Sequence, residues 1–489
     1  MSEATTGLLS YGAYVPVTRL PLALIQGRKP KDGGPEKAVA YYDEDAVTMA
    51  VAAALDCLAG SDRSAVDAVY FASTSYELRE KQGAALIAKA LDLRRDVLTS
   101  DHAGSLRAGT AALEAALCAV GAGAAKRALV VVADCRMGAP KGALEAKVGD
   151  GAAAFLVGGA ASGASPIATW TASAAVADEL QDSWRIDGER FTHSWEDRFV
   201  ATEGVVPCLA DALRALFAKA GVAGGDLAKA AVYAHDARTL GTVAKEAGIP
   251  ADRLQDPLSA RLGNTGCAFA PMLLVAALEG AKAGQRIACA SYGDGAHALL
   301  FETTDAIAKL EPRRGVAGHL GKRIPLGSYD AYLRSRKLDP KEWESGADLG
   351  LSATIRFRER DADIALVGGR CTECGQIHLP RPRVCIKCHA KDRFEPARLS
   401  DRPGRVLAYT FDYFFPAAEP PTIMVMTEVA GCRVQVQLAN CKPDRVRLDM
   451  PVEYVFRKIH DAGGKANYFW KASPPFEEIG ANGGGGASS

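Results

Sequence analysis

The sequence predicts a duplicated α/β domain followed by a four-cysteine ribbon and a small β-barrel. Three observations carry that prediction. Up to about Thr304 the chain is rich in Ala and Gly and alternates apolar strand-like runs with alanine-rich helices. Within this region one order of elements occurs twice: a Gly-led helix, a strand, a Gly-Asp-Gly-Ala turn and a second strand. Beyond Asp305 the composition shifts to Pro, Arg and Gly punctuation, then paired cysteines, then short strands separated by turns. The full length of 489 residues exceeds one ordinary core and calls for two or three domains.

In the first region, Ala128 to Ala133 (ALVVVA) reads as a buried parallel strand, because continuous β-branched runs suit a sheet covered on both faces. Gly109 to Val120 reads as a helix. The repeat places Gly149-Asp150-Gly151-Ala152 before AAAFLVG, and Gly293-Asp294-Gly295-Ala296 before HALLF. It sets Ser105 against Gly266 and Leu106 against Cys267. In the second region Tyr329 to Arg336 is a polar helix, and Val406–Phe415, Thr422–Val429, Cys432–Leu438 and Val452–Phe456 are strands. The expected divisions are 7–304 for the α/β domain, 305–345 for a linker with a helical segment, 346–396 for the ribbon, 397–474 for the barrel and 475–489 for a flexible tail.

Composition excludes several classes of function. Apolar residues are 48% and charged residues 24%, the usual soluble balance. Lys+Arg and Asp+Glu are both 58, so no whole-protein field draws the chain to nucleic acid or an anionic membrane. The N-terminus lacks a basic segment followed by a long apolar run, and no uncharged apolar stretch reaches the roughly 18 residues of a membrane span. A cytoplasmic protein is expected. Six cysteines (57, 118, 135, 208, 267 and 289) are scattered as small apolar residues.

The duplicated domain resembles the thiolase superfamily, and within it the 3-hydroxy-3-methylglutaryl-CoA synthase-like enzymes. The resemblance rests on Gly12-Ala13-Tyr14-Val15-Pro16, Ala108-Gly109-Thr110-Ala111-Ala112-Leu113, His235, Gly263-Asn264-Thr265 and both Gly-Asp-Gly-Ala turns. It implies a thiolase-like αβαβα fold, an acyl-CoA substrate and a homodimer. Such enzymes use a cysteine at a helix N-terminus, a glutamate that moves protons, and a histidine and an asparagine that polarise the thioester oxygen. Aligned on Ala108-Gly109-Thr110, the place of the cysteine falls on Leu106, and the place of the glutamate falls on Thr74. His235 and Asn264 remain as candidate catalytic residues. Ser105, one residue before the lost cysteine, is either a replacement nucleophile or a helix cap. Cys267 is expected in the core.

Cys371-x2-Cys374 and Cys385-x2-Cys388 have the spacing of a closed four-thiolate site, which implies a structural metal. Zinc is expected, with a rubredoxin-like iron as the alternative. The helix, ribbon and barrel together resemble the OB-fold proteins with a rubredoxin-like zinc ribbon that accompany thiolase-like enzymes. That pairing favours coenzyme A chemistry over nucleic-acid binding. Tyr409, Phe411, Tyr413, Phe414 and Phe415 alternate with the period of a barrel core. The leading functional expectation is aldol or retro-aldol chemistry on a β-hydroxyacyl-CoA without an acyl-enzyme. Thiolytic or hydrolytic cleavage of a 3-oxoacyl substrate, Claisen-type condensation and a non-catalytic channelling role are the alternatives.

Overall fold

A computed structural model describes residues 6–234, 236–338, 352–414, 417–462 and 465–480. The chain divides into two compact units: residues 1–40 with 45–321, and residues 41–44 with 322–489.

Unit 1 is built on nine strands: β1 (Thr6–Tyr14), β2 (Ala68–Ala72), β3 (Leu98–His102), β4 (Arg127–Cys135), β5 (Asp150–Gly159), β6 (Ala168–Ala177), β7 (Leu227–Val232), β8 (Arg286–Tyr292) and β9 (Gly295–Thr303). Their order is β7-β8-β9-β6-β1-β5-β4-β2-β3. The row is two half-sheets joined only where Gly7 and Leu8 of β1 pair with Thr169 and Ala168 of β6. Each half repeats one plan. Strand β4 runs antiparallel to β5 and parallel to β2, while β8 runs antiparallel to β9 and parallel to β7. The expected all-parallel environment of Ala128–Ala133 is therefore parallel on one side only.

Helices α3 (Ala108–Gly121) and α6 (Phe269–Glu279) pack between the half-sheets, α1 (Ala46–Cys57) covers the outside of one half, and α4 (Val206–Ala220) the outside of the other. This is the five-layer αβαβα arrangement. Two shorter helices, α2 (Gly83–Ala90) and α5 (Ala237–Glu246), complete the main elements. Helix α1 starts at a reciprocal cap, in which Asp45 accepts from Thr48 N at 2.9 Å and the Thr48 hydroxyl accepts from Asp45 N at 2.8 Å. The two central helices approach closely because α3 carries Gly109: a Cβ there would lie 2.5 Å from the Cys267 carbonyl oxygen.

The duplication exchanges contacts between its halves. Gly149 in the first Gly-Asp-Gly-Ala turn donates to the Asn264 carbonyl (2.9 Å), and Asn264 N donates to the Lys147 carbonyl (2.7 Å). Gly293 in the second turn, at φ +152°, packs so tightly on the entrance to α3 that a Cβ would meet Ser105 Oγ at 2.8 Å and Leu106 N at 2.9 Å. Each turn thus rests on the helix entrance of the opposite half.

Unit 2 contains the ribbon strands β10 (Val367–Cys371), β11 (Ile377–His378) and β12 (Phe394–Arg398), with β10 antiparallel to both others. Helices α7 (Tyr329–Ser335) and α8 (Ala353–Asp363) precede them. Five strands follow: β13 (Gly404–Asp412), β14 (Thr422–Val429), β15 (Cys432–Gln437), β16 (Pro451–Ala462) and β17 (Lys465–Ser473), in the order β15-β14-β13-β16-β17. A bridge from Leu438 to Ala472 closes the row into a barrel. Val406, Val425, Val436, Phe456 and the fully buried Trp470 fill it.

The aromatic run expected in that core is not there. Tyr409 is 40% exposed, Tyr413 73% and Phe414 96%, and Phe415 lies outside the described residues. Strand β13 pairs with β16 only at Gly404 and Arg405, so its second half is flanked by β14 alone. The linker boundary at 345/346 and most of the tail also fall outside the described residues.

One feature of unit 2 had no signature in the sequence. The segment Tyr41–Glu44 packs into it by a buried ion cluster. Lys471 Nζ donates to Asp43 Oδ2 at 2.8 Å, Arg457 lies 3.0 Å from Glu44 Oε1 and 4.0 Å from Asp43 Oδ1, and Lys458 N donates to the Asp43 carbonyl at 2.9 Å.

Candidate functional site

Unit 1 encloses a cavity of about 1070 Å³ whose wall includes Thr74, His102, Ser105, Leu106, Arg136, Asp182 and Asp294. It forms where the loops after β2, β3, β4 and β6 meet the entrance to α3. Strand ends are where an α/β sheet presents its loops to a ligand.

The cavity holds the two altered positions. Leu106 is 8% exposed and contributes an apolar side chain to the wall and core. Thr74 is tied to a carboxylate rather than carrying one. Its hydroxyl donates to Asp134 Oδ2 (2.8 Å) and its N–H to Asp134 Oδ1 (2.7 Å). Asp134 also accepts from the hydroxyls of Ser73 (3.1 Å) and Ser75 (2.7 Å) and from Cys267 N (2.8 Å). Five donors satisfy a carboxylate that is completely buried, so it pins the β2 loop, the end of β4 and the approach to α6 in one cluster.

Among the sequence candidates, Ser105 lies in the cavity wall. Its Oγ accepts a long hydrogen bond from Arg107 N (3.4 Å), in the turn ahead of α3, whose N-cap position is Arg107 and carries no side-chain cap. Asn264 is absent from the described lining: its amide donates to the Tyr233 hydroxyl (3.0 Å), and its Oδ1 accepts from Gly266 N (2.9 Å). His235 lies outside the described residues. The residue after it, Asp236, accepts from Thr239 N (2.8 Å) to cap α5. Cys267 is fully buried, and that burial, with the Asp134 charge beside it, pushes its thiol well above the ordinary range. A thiol held protonated and away from the cavity is no nucleophile.

The sequence reading missed His102, Asp182 and Cys135 as cavity residues. His102 lies three residues ahead of Ser105 in a stretch already singled out, and its position at the end of β3 was the available signal. Asp182 belongs to a segment without a motif.

In unit 2 the sulfur atoms of Cys371, Cys374, Cys385 and Cys388 all lie within 4.8 Å of one another, with Cys371–Cys388 and Cys374–Cys385 at 3.6 Å. Tetrahedral zinc with bonds of about 2.3 Å sets its sulfurs about 3.8 Å apart, so the four thiolates fit that ion. His378 Nε2 lies 3.4 Å from Cys385 Sγ and orients it from outside the four-sulfur shell. Four protein ligands leave no open position, so the metal is structural.

Residues 358–394 match the ChsH2 rubredoxin-like zinc ribbon domain family. The first unit has relatives of known name. The chain is 32% identical over 341 residues to the hydroxymethylglutaryl-CoA synthase of Pyrococcus furiosus, covering 68% of this chain and 96% of that protein. The chain belongs to the hydroxymethylglutaryl-CoA synthase family. The family enzyme of Thermococcus gammatolerans is 33% identical, over 67% of this chain and 93% of its own length. The fold agrees. MvaS in complex with 3-hydroxy-3-methylglutaryl coenzyme A superposes with a TM-score of 0.59 at 22% identity, covering 81% of this chain and 99% of that one. An HMG-CoA synthase complexed with CoA gives 0.57 at 21% identity, over 66% and 88%. Among the described residues no helix is long and apolar enough to cross a membrane.

Proposed function

We propose that this family member makes or breaks a carbon–carbon bond next to a CoA thioester without an acyl-cysteine intermediate, acting as a retro-aldolase on a β-hydroxyacyl-CoA. The observation that carries this reading is Leu106, an apolar side chain in the cavity wall at the entrance to α3. A Claisen reaction through an acyl-enzyme needs a nucleophile there. Retro-aldol cleavage does not: the β-hydroxyl loses a proton, the Cα–Cβ bond breaks, and the electron pair passes to a thioester enolate. In this reading the sequence pattern assigns the enolate oxygen to His235, while Asn264, which lies outside the described lining and donates to the Tyr233 hydroxyl, supports the site through Tyr233.

The test is intact-protein mass spectrometry with a panel of 3-hydroxyacyl-CoAs, analysing released products in the same run. Unmodified protein with a shortened acyl-CoA and a free carbonyl compound is expected. An acyl adduct on the wild-type chain, at Ser105 or Cys135, overturns the reading. In the Leu106→Cys variant, acetyl-CoA is expected to leave an acetyl adduct on residue 106, because the helix entrance favours a thiolate. That variant is not expected to regain condensation, since position 74 carries a hydroxyl committed to Asp134.

Pairing of two copies through unit 1 belongs to the same proposal. Strand β3 is a terminal strand, and Leu98 on it is 59% exposed. An unprotected edge of this kind favours strand addition. Sedimentation is expected to show a dimer for the wild type and a monomer for Leu98→Asp, with the thermal midpoint unchanged within a few degrees.

A further inference from the structure

Three buried polar atoms in the wall of the unit 1 cavity have no hydrogen-bond partner: the Tyr76 hydroxyl, His102 Nε2 and Asp182 Oδ2. Asp182 is only 5% exposed. An unpaired buried polar group is disfavoured, and native proteins keep few of them. Three along one cavity mark the place where a bound molecule supplies the missing partners.

Two of the three converge on the same turn. His102 ends β3, three residues before Ser105, on the segment that enters α3. Asp182 lies close enough to Asp294 to feel its charge, and Asp294 follows Gly293, which packs against Ser105 and Leu106. Leu106 lines the same cavity, and its side chain offers no competing hydrogen bond.

We propose that His102 is the general base and Asp182 the general acid of the carbon–carbon cleavage, acting on a β-hydroxyacyl thioester laid over Leu106. The assignment rests on the retro-aldol reading above. Neutral His102 Nε2 takes the proton of the β-hydroxyl. The O–H electron pair becomes the carbonyl π bond of the departing aldehyde or ketone, and the Cα–Cβ pair moves onto the thioester as an enolate. Asp182, entering the step as the carboxylic acid, then gives its proton to Cα, which completes the shortened acyl-CoA. The imidazolium and the carboxylate exchange one proton with solvent to reset, so the cycle needs no oxidant and no further reactant.

The surroundings hold both groups in the required forms. Burial lowers the His102 pKa below its ordinary value, against the opposing pull of Asp101, and keeps the ring neutral near pH 7. Burial raises that of Asp182 against the pull of backbone hydrogen bonds at Ser183 and Asp182 and of a hydrogen bond with Tyr292, and the nearby charge of Asp294 adds a smaller push upward. Tyr76, pushed up to about 12 chiefly by burial, stays protonated and serves as a donor to the acyl group. The two shifts run in opposite directions, toward a neutral base and toward a proton-bearing acid, which is the division of labour the cleavage asks for.

The two roles separate experimentally. Turnover is measured on the 3-hydroxyacyl-CoA panel, and exchange of the Cα hydrogen for deuterium is measured on the acyl-CoA that the wild type releases. Exchange is the protonation of Cα run backward and forward, and it needs only Asp182, in the carboxylate form that protonation of Cα leaves behind. His102→Gln is expected to lose turnover at least about 100-fold while keeping exchange, and Asp182→Asn to lose both by a similar factor. Thermal midpoints within a few degrees of wild type show that either loss is chemical, and His102→Asn and Asp182→Ser repeat the test if a first variant melts early. A wild type that releases nothing across the panel overturns the retro-aldol reading itself. A wild type that turns over while either variant stays within about threefold overturns the assignment alone.

Discussion

Replacing Cys371 by serine is expected to release the metal and unfold the ribbon. The wild type should carry one zinc per chain by elemental analysis, and the variant much less than one. The effect is large because the four thiolates hold a site that the ribbon's short strands do not stabilise alone. Strand β11 is only Ile377 and His378. Zinc binding supplies on the order of 10 kcal/mol to the folding of small ribbons, so its loss exceeds what the remaining contacts replace. Chelation at neutral pH should produce the same loss of near-ultraviolet signal from unit 2, reversible on adding zinc. Retention of the ribbon signal after complete metal removal would refute a structural metal.

The second large effect is expected at Asp43. Lys471 and Arg457 are each 2% exposed in their side chains, and Asp43 lies against both. Removing one member of a buried ion cluster leaves uncompensated charge and costs about 3–5 kcal/mol. Asp43→Ala should lower the denaturant midpoint of unit 2 accordingly, while Asp43→Glu should retain part of the stability. Burial alone would raise the Asp43 pKa, but the charges of Lys471 and Arg457 outweigh it and hold the carboxyl below its ordinary value. A carboxyl with a depressed folded pKa stabilises fully above the unfolded value, about 3.9, and loses that contribution as pH falls toward the folded one. Wild-type unit 2 should therefore keep this contribution at pH 5 and lose it below about pH 4, whereas Asp43→Ala should show a smaller acid dependence. Equal acid dependence in both proteins would refute this account.

The α/β duplication was legible because buried strands between helices carry continuous apolar runs, and because the two Gly-Asp-Gly-Ala turns mark equivalent junctions. The cysteine spacing alone indicated the metal site. Strand direction was less legible: the run Ala128–Ala133 looks the same whether its neighbour is parallel β2 or antiparallel β5. The aromatic run from Tyr409 misled because alternation reports a pleat and not which neighbours cover it. Trp470 and Phe456, which fill the barrel, lie in strands whose polar residues mask them.

The site was legible in what it had lost and illegible in what it had gained. Position 106 can be read by counting from Ala108-Gly109-Thr110. The five donors on Asp134 come from two segments far apart in the chain, and no local pattern joins Ser73, Thr74 and Ser75 to Cys267. Asp182 and His102 stand out only once folding has buried an oxygen and a nitrogen in one wall without partners.

The anchoring of Tyr41–Glu44 in unit 2 bears on how such a chain can be divided. The ribbon and barrel look like a cassette, a contiguous block from residue 322 onward that a gene could carry separately. They are not self-sufficient. A fragment starting there would keep Lys471 and Arg457 in its interior and leave Asp43 and Glu44 behind in the other piece. Splitting this gene into two subunits would require the missing carboxylates to be re-supplied, by a transplanted acidic tetrapeptide or by apolar replacement of both cations. Fusion here is written into the charge balance of the smaller unit as well as into the peptide linker.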